Sequence, residues 1–480
     1  MRRSRLLVRS AHAGQASPDA AANSPPAPAH SWRRSWPLVV EIGVLALAVW
    51  AAAHLVNLTV YGARVPNEDV REYRLYALRF WTQPPLFHHL PVEYPPLSIV
   101  PFTLSVLPPL SDVMSVFMVW MGLLFVGGYC WLRRVAGSPR ARTYAIYVLI
   151  GAASTVFARF DLVPALVTLL ALYCAQRRRF RWAYILLALG VLLKLYPVFL
   201  IPLVAIEQWR TLHPAPTAAA TDGHGGRIAS LGAVVRALIG PVDRAALWSV
   251  ARGLGACAAV IVLGFGGAAL LSGAGAFSGF SYAGLRPLQI ESTPASLLWF
   301  GRFLGFPAHD VYTFHSLNLV GPLDVLLEPL SALALVLGCL VVYWRHLRGR
   351  LDAGHAFVAC LCMVLVTNKI FSPQYLIWVL PLVAYVMELD LLWLAVGVLT
   401  TLIYPFLYFA HPHILLVAAD WRFLPAIALR NVLLVVVTVR ATLDRPAWDL
   451  AAARNTLTRV AAVGRRVWPA RATPHGMRFR

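Results

Sequence analysis

Long apolar runs of nearly 20 residues recur along the chain, and short segments between them hold most of the charged and polar residues. A helix of about 20 residues crosses the ~30 Å hydrocarbon core of a bilayer. Within a typical run such as Leu391–Thr401, apolar residues follow one another without the alternation that a membrane-embedded strand requires. The pattern therefore predicts an all-α polytopic membrane protein with about 12 transmembrane helices.

The predicted spans are bounded by charged or polar segments. In chain order they are Pro37–Val56, Asp112–Leu132, Thr143–Ala158, Leu162–Gln176, Trp182–Ile206, Gly253–Ser272, Gly321–Trp344, Gly354–Thr367, Pro373–Met387, Leu391–Ala410 and Trp421–Arg440. The run from Pro37 is too long and starts too late for a cleaved signal, so we interpret it as an uncleaved first span. The apolar segment Pro95–Leu110 contains several prolines, which break helices, and we expect a short piece that dips into the membrane.

Composition and charge agree with this class of protein. Of 480 residues, 59% are hydrophobic and 13% are charged, more apolar surface than a soluble domain of this length could hide. A net charge of +21 would also suit a nucleic-acid partner. The arginines, however, cluster in a few hydrophilic segments between the apolar runs, as the positive-inside rule predicts, so we expect no nucleic acid. The six cysteines lie in apolar runs without metal-type spacing, and we expect neither a disulfide framework nor a metal site.

The distribution of charge also divides the chain into regions. Residues 1–36 form a basic tail with too little apolar content to fold, and residues 441–480 form a second basic tail. Residues 37–440 form the transmembrane domain, with a large first external loop at 57–94 and a basic loop at 207–252. The positive-inside rule places both tails and the basic loop in the cytoplasm, so we expect a multi-pass protein of the cell membrane.

One apolar run, Trp182–Ile206, holds a lysine near its centre. A single straight span would bury the ammonium of Lys194 in the bilayer at a cost of at least about 2.5–3.5 kcal/mol. It would also place the basic loop that follows outside the cell. Because Pro197 lies close by, two short half-spans that meet at Lys194 resolve both conflicts, and Lys194 then reaches the external face.

The same topology places polar residues from distant parts of the chain on the external face. They are Glu68, Asp69, Tyr73, Glu93, Tyr94, Arg159, Asp161, Lys194, Arg286, Gln289, Glu291, Asn368, Lys369, Gln374 and Tyr375. Each lies at the end of an apolar run, so helix packing can gather them into one cavity. Carboxylates beside cations at a membrane surface suit acid/base work on an anionic lipid head group.

These residues occur in short motifs with a fixed order. The chain reads Asp69-Val-Arg-Glu-Tyr73, Glu93-Tyr-Pro-Pro-Leu97, Arg159-Phe-Asp161, Lys194-Leu-Tyr-Pro197, Arg286-Pro-Leu-Gln-Ile-Glu-Ser292 and Asn368-Lys-Ile-Phe-Ser-Pro-Gln-Tyr375. Taken together, between Val40 and Arg440, the motifs resemble glycosyltransferase family 87, the polyprenol-phosphate-mannose-dependent mannosyltransferases of the GT-C fold class.

The resemblance implies transfer of a hexose, mannose by family, from a polyprenyl-phosphate donor to a glycolipid or glycan acceptor, with inversion. It implies that Asp69 is the catalytic base, with its neighbour Glu68 as the rival. It also implies that Lys194 holds the lipid phosphate, helped by Arg159 or Lys369. A lipid phosphate carries less charge than a nucleotide diphosphate as leaving group, so no metal or other cofactor is expected. The remaining residues expected to contact substrate or phosphate are Tyr73, Glu93, Tyr94, Asp161, Arg286, Gln289, Glu291, Asn368 and Gln374.

Each of these assignments has a structural alternative. Arg159 and Asp161 would form an ion pair that caps the next helix, and the Glu93-Tyr-Pro-Pro motif would be a rigid turn. For the protein as a whole, the alternative is a polytopic transporter or a flippase for lipid-linked sugars. Transporters tend to carry ionisable groups near the bilayer midplane and to show internal repeats, and neither feature is found in this sequence.

Overall fold

The structure is a computed structural model that describes residues 40, 41, 43–45, 47, 48, 68–107, 113–213, 244–411 and 413–443. The predicted tail at 1–36, most of the first span, the middle of the basic loop and the tail from 444 onwards lie outside the described residues. The chain separates into two units, Met1–Leu47 and Ala48–Arg480. In the first unit, residues 40, 41, 43–45 and 47 are helical.

The second unit is built mainly from helices. Its first part contains α1 Glu68–Thr82, α2 Pro96–Val106, α3 Val113–Ala136, α4 Ser138–Gly151, α5 Ala153–Val156, α6 Leu162–Gln176, α7 Phe180–Leu193 and α8 Ile201–Leu212. Its second part contains α9 Arg244–Ser272, α10 Ser278–Leu285, α11 Thr293–Gly301, α12 Asp324–Leu347, α13 Ala353–Thr367, α14 Leu376–Val386, α15 Leu391–Thr401, α16 Ile414–Val417 and α17 Phe423–Leu443. Tighter 3₁₀ turns at Tyr196–Leu200 and Pro373–Tyr375 lead into α8 and α14.

Five helical stretches of the described chain are long and apolar enough to cross a membrane. They are Val116–Ala136, Arg244–Leu285, Asp324–Leu347, Leu391–Ala410 and Phe423–Leu443. Shorter apolar helices of 10–17 residues accompany them, including α2, α6 and α7. The helices indicate a helical membrane protein, as the apolar runs predict. The count of about 12 spans and the large first external loop stay predictions.

Several predicted boundaries agree with the helices. The bounds of α6 are those of the predicted span Leu162–Gln176, and the described part of the proline-rich segment, residues 95–107, contains the short helix α2. The basic segment between α8 and α9 is shorter than the predicted 207–252. The reason is that buried Gln208 accepts a hydrogen bond from the Tyr184 hydroxyl (3.0 Å) and donates one to Ser249 Oγ (3.1 Å), which ties α8 to α7 and α9.

One element of the described chain is a β-hairpin that the sequence analysis did not predict. Strand β1 (His309–Thr313) pairs antiparallel with β2 (Ser316–Val320). The two turn residues, Phe314 and His315, both have φ of 53°, and positive φ at both positions is typical of the type I′ turn of two-residue hairpins. Buried Leu317 and Leu319 of β2 bond through their backbones to Ile290 and Leu288, so the hairpin packs beside the segment that joins α10 to α11.

Close helix packing positions the end of the bundle where the polar residues gather. A Cβ atom added to Gly151 of α4 would lie 3.1 Å from the Cα of Gly397 in α15, so small residues let these two helices approach closely. Helix α13 is buried along nearly its whole length and packs against α12, α14 and α17. Helix α14 in turn packs against α4, α6 and α13. The first turns of α6 and α14 thereby meet at the end of α7.

Candidate functional site

The interruption predicted at Lys194 is present. Helix α7 ends at Leu193, and Lys194 has an extended backbone with φ −159° and ψ 138°. Its N–H still donates to the Gly190 carbonyl at 2.8 Å, but Pro197 lacks an N–H and opens a 3₁₀ turn instead of continuing the helix. The extended residue turns the Lys194 side chain toward the start of α6.

The Lys194 ammonium lies 2.5 Å from Oδ1 of Asp161, the residue that precedes α6. The same oxygen accepts a hydrogen bond from Trp378 Nε1 of α14, also at 2.5 Å. The side chains of Lys194 and Asp161 are 12% and 1% exposed. A carboxylate so deeply buried is compatible with folding because both a cation and an N–H donor satisfy it. The pair joins α6, α7 and α14 at one point.

Aromatic rings surround this ion pair. The Lys194 ammonium lies 4.9 Å from the ring centre of Phe160, 5.1 Å from Trp378, 5.4 Å from Tyr375 and 5.7 Å from Tyr94. Each ring face attracts a cation at these distances. Tyr375 stacks on Trp378 with ring centres 3.9 Å apart. The ammonium is therefore held in one place by aromatic faces as well as by its carboxylate.

Helix α1 is attached to the same rings through Tyr73, which is 1% exposed. Its ring stacks on Phe102 of α2 at 4.2 Å and meets the edge of Phe160 at 5.7 Å. Its hydroxyl is hydrogen-bonded to that of Tyr94. Burial raises the pKa of both phenols well above its ordinary value, with nearby carboxylates adding to the effect, so both hydroxyls stay neutral.

Asp69 lies in the first turn of α1, where a carboxylate interacts favourably with the helix dipole. Its Oδ1 forms an ion pair with the Arg159 guanidinium. The Asp69 side chain is 34% exposed and that of Arg159 14%, so the carboxylate faces the open side of the pair. Arg159 thus pairs with Asp69, and Asp161 with Lys194. The alternative in which Arg159 and Asp161 pair to cap α6 is wrong, because each has a different partner.

Glu93 lies on the other side of the aromatic group, between α1 and α2. The Tyr282 hydroxyl of α10 is within hydrogen-bonding reach of its carboxylate and lies 3.2 Å from the Phe314 carbonyl. Gly279, one turn earlier on α10, lies against the backbone of Glu93, where an added Cβ would come within 3.6 Å. Helix α10 and the hairpin turn therefore form a second wall opposite Lys194.

Arg286 follows α10 in this second wall. Its Nη2 donates to Ser316 Oγ of β2 at 2.8 Å, and its guanidinium carbon lies 5.6 Å from the Tyr282 ring centre. The Tyr375 hydroxyl is within electrostatic range of Arg286, and also of Arg159 and Asp161. We call the set Asp69, Tyr73, Glu93, Tyr94, Arg159, Asp161, Lys194, Arg286, Tyr375 and Trp378 the site cluster. It unites residues from the whole length of the second unit.

One protein family matches the segment of the chain that supplies half of the residues of the site cluster. The model of glycosyltransferase family 87 matches residues 93–223. The match supports, over this segment, the family resemblance that the motifs indicate. Its segment begins at Glu93 and includes Tyr94, Arg159, Asp161 and Lys194. No curated protein matches the chain. The family indicates a glycosyltransferase, and the matched segment carries the buried ion pair of the site cluster.

Outside the matched segment, the predicted residues Gln289 and Glu291 belong to a network behind the site cluster. Glu291 is 1% exposed and pairs with buried Arg430 of α17 at 2.7 Å, and the Tyr408 hydroxyl donates to its other oxygen at 2.9 Å. The Gln289 N–H donates to the Lys369 carbonyl at 2.9 Å, and Arg430 lies 4.3 Å from the Phe371 ring. This network fixes the chain that follows Arg286 and the chain that precedes Tyr375.

Three further predicted residues lie at the ends of α13 and α14. Lys369 binds Glu328 at 3.1 Å and the Gly284 carbonyl at 3.0 Å, so its ammonium is directed to α12 and α10. Asn368 accepts from the Ile370 N–H at 3.0 Å, which shapes the turn after α13. Gln374 is partly exposed in the turn Pro373–Tyr375. Arg159 and Lys369 were both expected to help Lys194 hold the phosphate. Arg159 belongs to the site cluster, whereas Lys369 forms its ion pair with Glu328 at the edge of the cluster.

The candidate site also contains residues that the sequence did not single out. Trp378 donates to Asp161, Tyr282 reaches Glu93, and Ser316 accepts from Arg286. The signal for Trp378 is its position one helical turn after Tyr375, which places both rings on one face. Aromatic residues at span ends are also typical of the membrane interface, so the spacing alone does not separate the two roles.

Proposed function

We propose that this glycosyltransferase transfers a hexose, mannose by its family resemblance, from a polyprenyl-phosphate donor to a hydroxyl of a glycolipid or glycan acceptor. Transfer takes place on the external face of the cell membrane and inverts the anomeric centre. The observation that carries the proposal is the juxtaposition of a partly exposed carboxylate, Asp69, with the cations Arg159 and Lys194 at one aromatic-lined end of the helices. A lipid-linked substrate suits a site built between helices of a membrane protein.

The site cluster supplies the two groups that the reaction needs. The acceptor oxygen attacks the anomeric carbon while the bond from that carbon to the phosphate oxygen breaks. Asp69 accepts the proton of the acceptor hydroxyl, and the polyprenyl phosphate leaves with the bonding electron pair. Lys194 and Arg159 stabilise the negative charge that develops on the leaving phosphate. A single displacement of this kind inverts the configuration of the sugar.

The two cations differ in how they would act. Arg159 forms an ion pair with Asp69, and its planar guanidinium is a group of the kind that binds phosphate oxygens. It therefore holds the base and the leaving group in register. Lys194 is fixed by Asp161 and the aromatic rings, so its charge is preorganised rather than recruited when substrate binds. Lys369 is engaged by Glu328, which favours Arg159 as the helper of Lys194.

Transfer by the purified protein in lipid tests the proposal directly. We expect radiolabelled mannose to move from a polyprenyl-phosphate donor to a lipid or glycan acceptor, while a sugar nucleotide gives no product. An Asp69→Asn sample prepared in parallel controls for contaminating transferases. Absence of transfer from every polyprenyl-phosphate sugar would show that this class of lipid is not the donor. Movement of labelled donor across sealed vesicles without transfer would favour the flippase alternative.

The external placement of the site makes a separate prediction about orientation. Cysteines introduced at Ser17 or Thr473 in the basic tails should resist a membrane-impermeant thiol reagent in intact cells, because arginine-rich segments stay in the cytoplasm. A cysteine at exposed His309 of the hairpin should react. The unsubstituted protein gives the background from its own six cysteines. Efficient labelling of the tails combined with protection of His309→Cys would mean that the orientation is opposite to the one proposed.

A further inference from the structure

The C-terminal end of α12 carries three arginines within six residues, and no carboxylate of the described chain forms an ion pair with them. They are Arg345, Arg348 and Arg350. Two nearby acids are engaged by other residues. Asp352 lies 2.6 Å from the imidazole Nδ1 of His355, and Glu207 of α8 pairs with Arg210 at 3.4 Å. The positive charge at this end of α12 is therefore available to an anion.

The chain reverses at Gly349, and this turn brings the last of the three arginines back over the helix. Gly349 has φ of 69°, in the left-handed region that glycine adopts without strain. Its N–H donates to the His346 carbonyl at 3.0 Å, and the Arg350 N–H donates to the Arg345 carbonyl at 2.9 Å. These two bonds form a Schellman motif, which ends the helix. The turn is fixed at Leu351, because its carbonyl lies 3.0 Å from Nδ1 of buried His346.

Two of the arginines lie over the ring of one tryptophan, Trp344. The guanidinium carbon of Arg348 is 5.7 Å from the ring centre, and that of Arg350 is 5.4 Å from it. An indole face attracts guanidinium groups at these distances. The Trp344 side chain is itself 47% exposed, so both cations are held at the surface of the protein. Like charges over one ring repel each other, and an anion that bridges them removes this repulsion.

An apolar face of α12 leads up to this tryptophan. Its exposed side chains are those of Leu333, Leu337, Val341 and Trp344. They recur every three or four residues, which places them on one side of the helix together with Arg348. Along this side the surface is first aliphatic, then aromatic and finally cationic. A phospholipid presents its acyl chains, its glycerol backbone and its phosphate in the same order, and tryptophan is typical of the level between chain and headgroup.

This surface lies at the end of α12 that is remote from the site cluster. Glu328, which binds Lys369 at the edge of the cluster, precedes Trp344 by about 24 Å along the helix axis. Helix α12 is one of the stretches that are long and apolar enough to cross a membrane. The arginines and the site cluster therefore belong to opposite leaflets. The predicted topology makes the leaflet at the arginines the cytoplasmic one.

We propose that the C-terminal end of α12 binds an anionic phospholipid of the cytoplasmic leaflet. Arg348 and Arg350 bind the phosphate through charge-assisted hydrogen bonds, and the ring of Trp344 lies at the level of the glycerol backbone. The exposed aliphatic side chains of the same face contact the acyl chains. The proposal is independent of the proposed function, because it uses no residue of the site cluster.

Lipid binding to the purified full-length protein in detergent tests the site, with native mass spectrometry measuring the dissociation constant of the first bound lipid. The probes are phosphatidylglycerol, phosphatidylcholine with the same acyl chains, and glycerol 3-phosphate, which has the phosphate without the chains. Phosphatidylglycerol should bind about 25-fold more tightly than phosphatidylcholine, with about fivefold from each arginine. Arg348→Gln combined with Arg350→Gln should abolish this preference and leave the affinity for phosphatidylcholine unchanged.

A second pair of arginines provides the matched control. Arg179→Gln combined with Arg181→Gln removes the same charge beside exposed Trp182, on which no arginine of the described chain is stacked. This variant should keep the preference for phosphatidylglycerol. Equal losses in the two double variants would indicate a general attraction to a basic surface and overturn the site. Equal affinities of the unsubstituted protein for the two phospholipids would overturn it as well.

Two further results complete the test. Displacement of phosphatidylglycerol by glycerol 3-phosphate at similar concentration would assign the arginines to a soluble phosphate compound and overturn the lipid site. If the double variant does not fold, Trp344→Leu takes its place, since it keeps the charges and the apolar contact but loses the ring that holds both guanidinium groups. It should weaken phosphatidylglycerol about 2–5-fold. An unchanged affinity in that variant would contradict the proposal.

Discussion

Replacing Asp69 with Asn should lower the rate of sugar transfer by about 10²–10⁴-fold, the usual contribution of a general base. Asparagine keeps the size of the side chain and can still accept a hydrogen bond from Arg159, but it cannot take the proton of the acceptor hydroxyl. Donor affinity should survive, because a carboxylate is not expected to attract an anionic phosphate. Initial transfer rates at equal levels of folded protein in membranes, together with donor binding, measure both effects.

Two neighbouring acids serve as controls for Asp69. Glu72 lies on α1 as well, but its side chain is exposed, so Glu72→Gln should transfer sugar at the normal rate. Glu68→Gln tests the rival base, whose side chain lies outside the described part of the chain. Near-normal transfer by Asp69→Asn would exclude Asp69 from proton transfer. A collapse seen only with Glu68→Gln would shift the role of base to that residue.

Replacing Lys194 with Met should cost about 3–5 kcal/mol of unfolding free energy, in addition to abolishing transfer, because removal of one partner leaves a buried charge uncompensated. The charge in question is that of Asp161, which is 1% exposed and, among the described residues, keeps the Trp378 N–H as its side-chain donor. Thermal unfolding in detergent would show this as a lower midpoint. The loss of transfer has a different origin, since the leaving phosphate loses a fixed cation.

A double variant separates these two effects. Lys194→Met combined with Asp161→Asn removes both charges and retains an oxygen that accepts from Trp378 Nε1. Its unfolding midpoint should return most of the way to that of the wild type, while transfer stays low. Recovery of both stability and transfer would mean that the ion pair is structural and that Lys194 does not act on the phosphate. A single Lys194→Met protein as stable as the wild type would contradict the buried pair itself.

Features that depend on the local cost of burying polar groups were predictable from sequence. The break at Lys194 follows from the cost of a cation in the bilayer, and the limits of α6 follow from flanking polar residues. The pairing of ions was not predictable, because it depends on which helix ends meet. Arg159 and Asp161 are two residues apart and carry opposite charges, so the sequence alone suggests that they pair with each other. In the fold, each is opposed by a residue from another element.

The second wall of the site was missed for a different reason. The turn of the hairpin, Phe314–His315, lacks the asparagine or glycine that usually marks a two-residue turn. The strands are five residues each, too short for their alternation to stand out beside long apolar helices. Arg430 lies within an apolar helix, and no local pattern indicates that Glu291, far away in the chain, neutralises it.

The buried pair of Asp161 and Lys194 also has a consequence for how the chain enters the membrane during synthesis. The two residues flank α6 and α7, which are neighbours in the chain and pack against each other. Their charges can therefore neutralise each other as soon as this helical hairpin leaves the ribosome and enters the insertion machinery. Helix α10 of the second wall and Trp378 are both made later, Trp378 more than a hundred residues after Lys194. Early neutralisation lets these two short apolar helices insert before the rest of the site has been made.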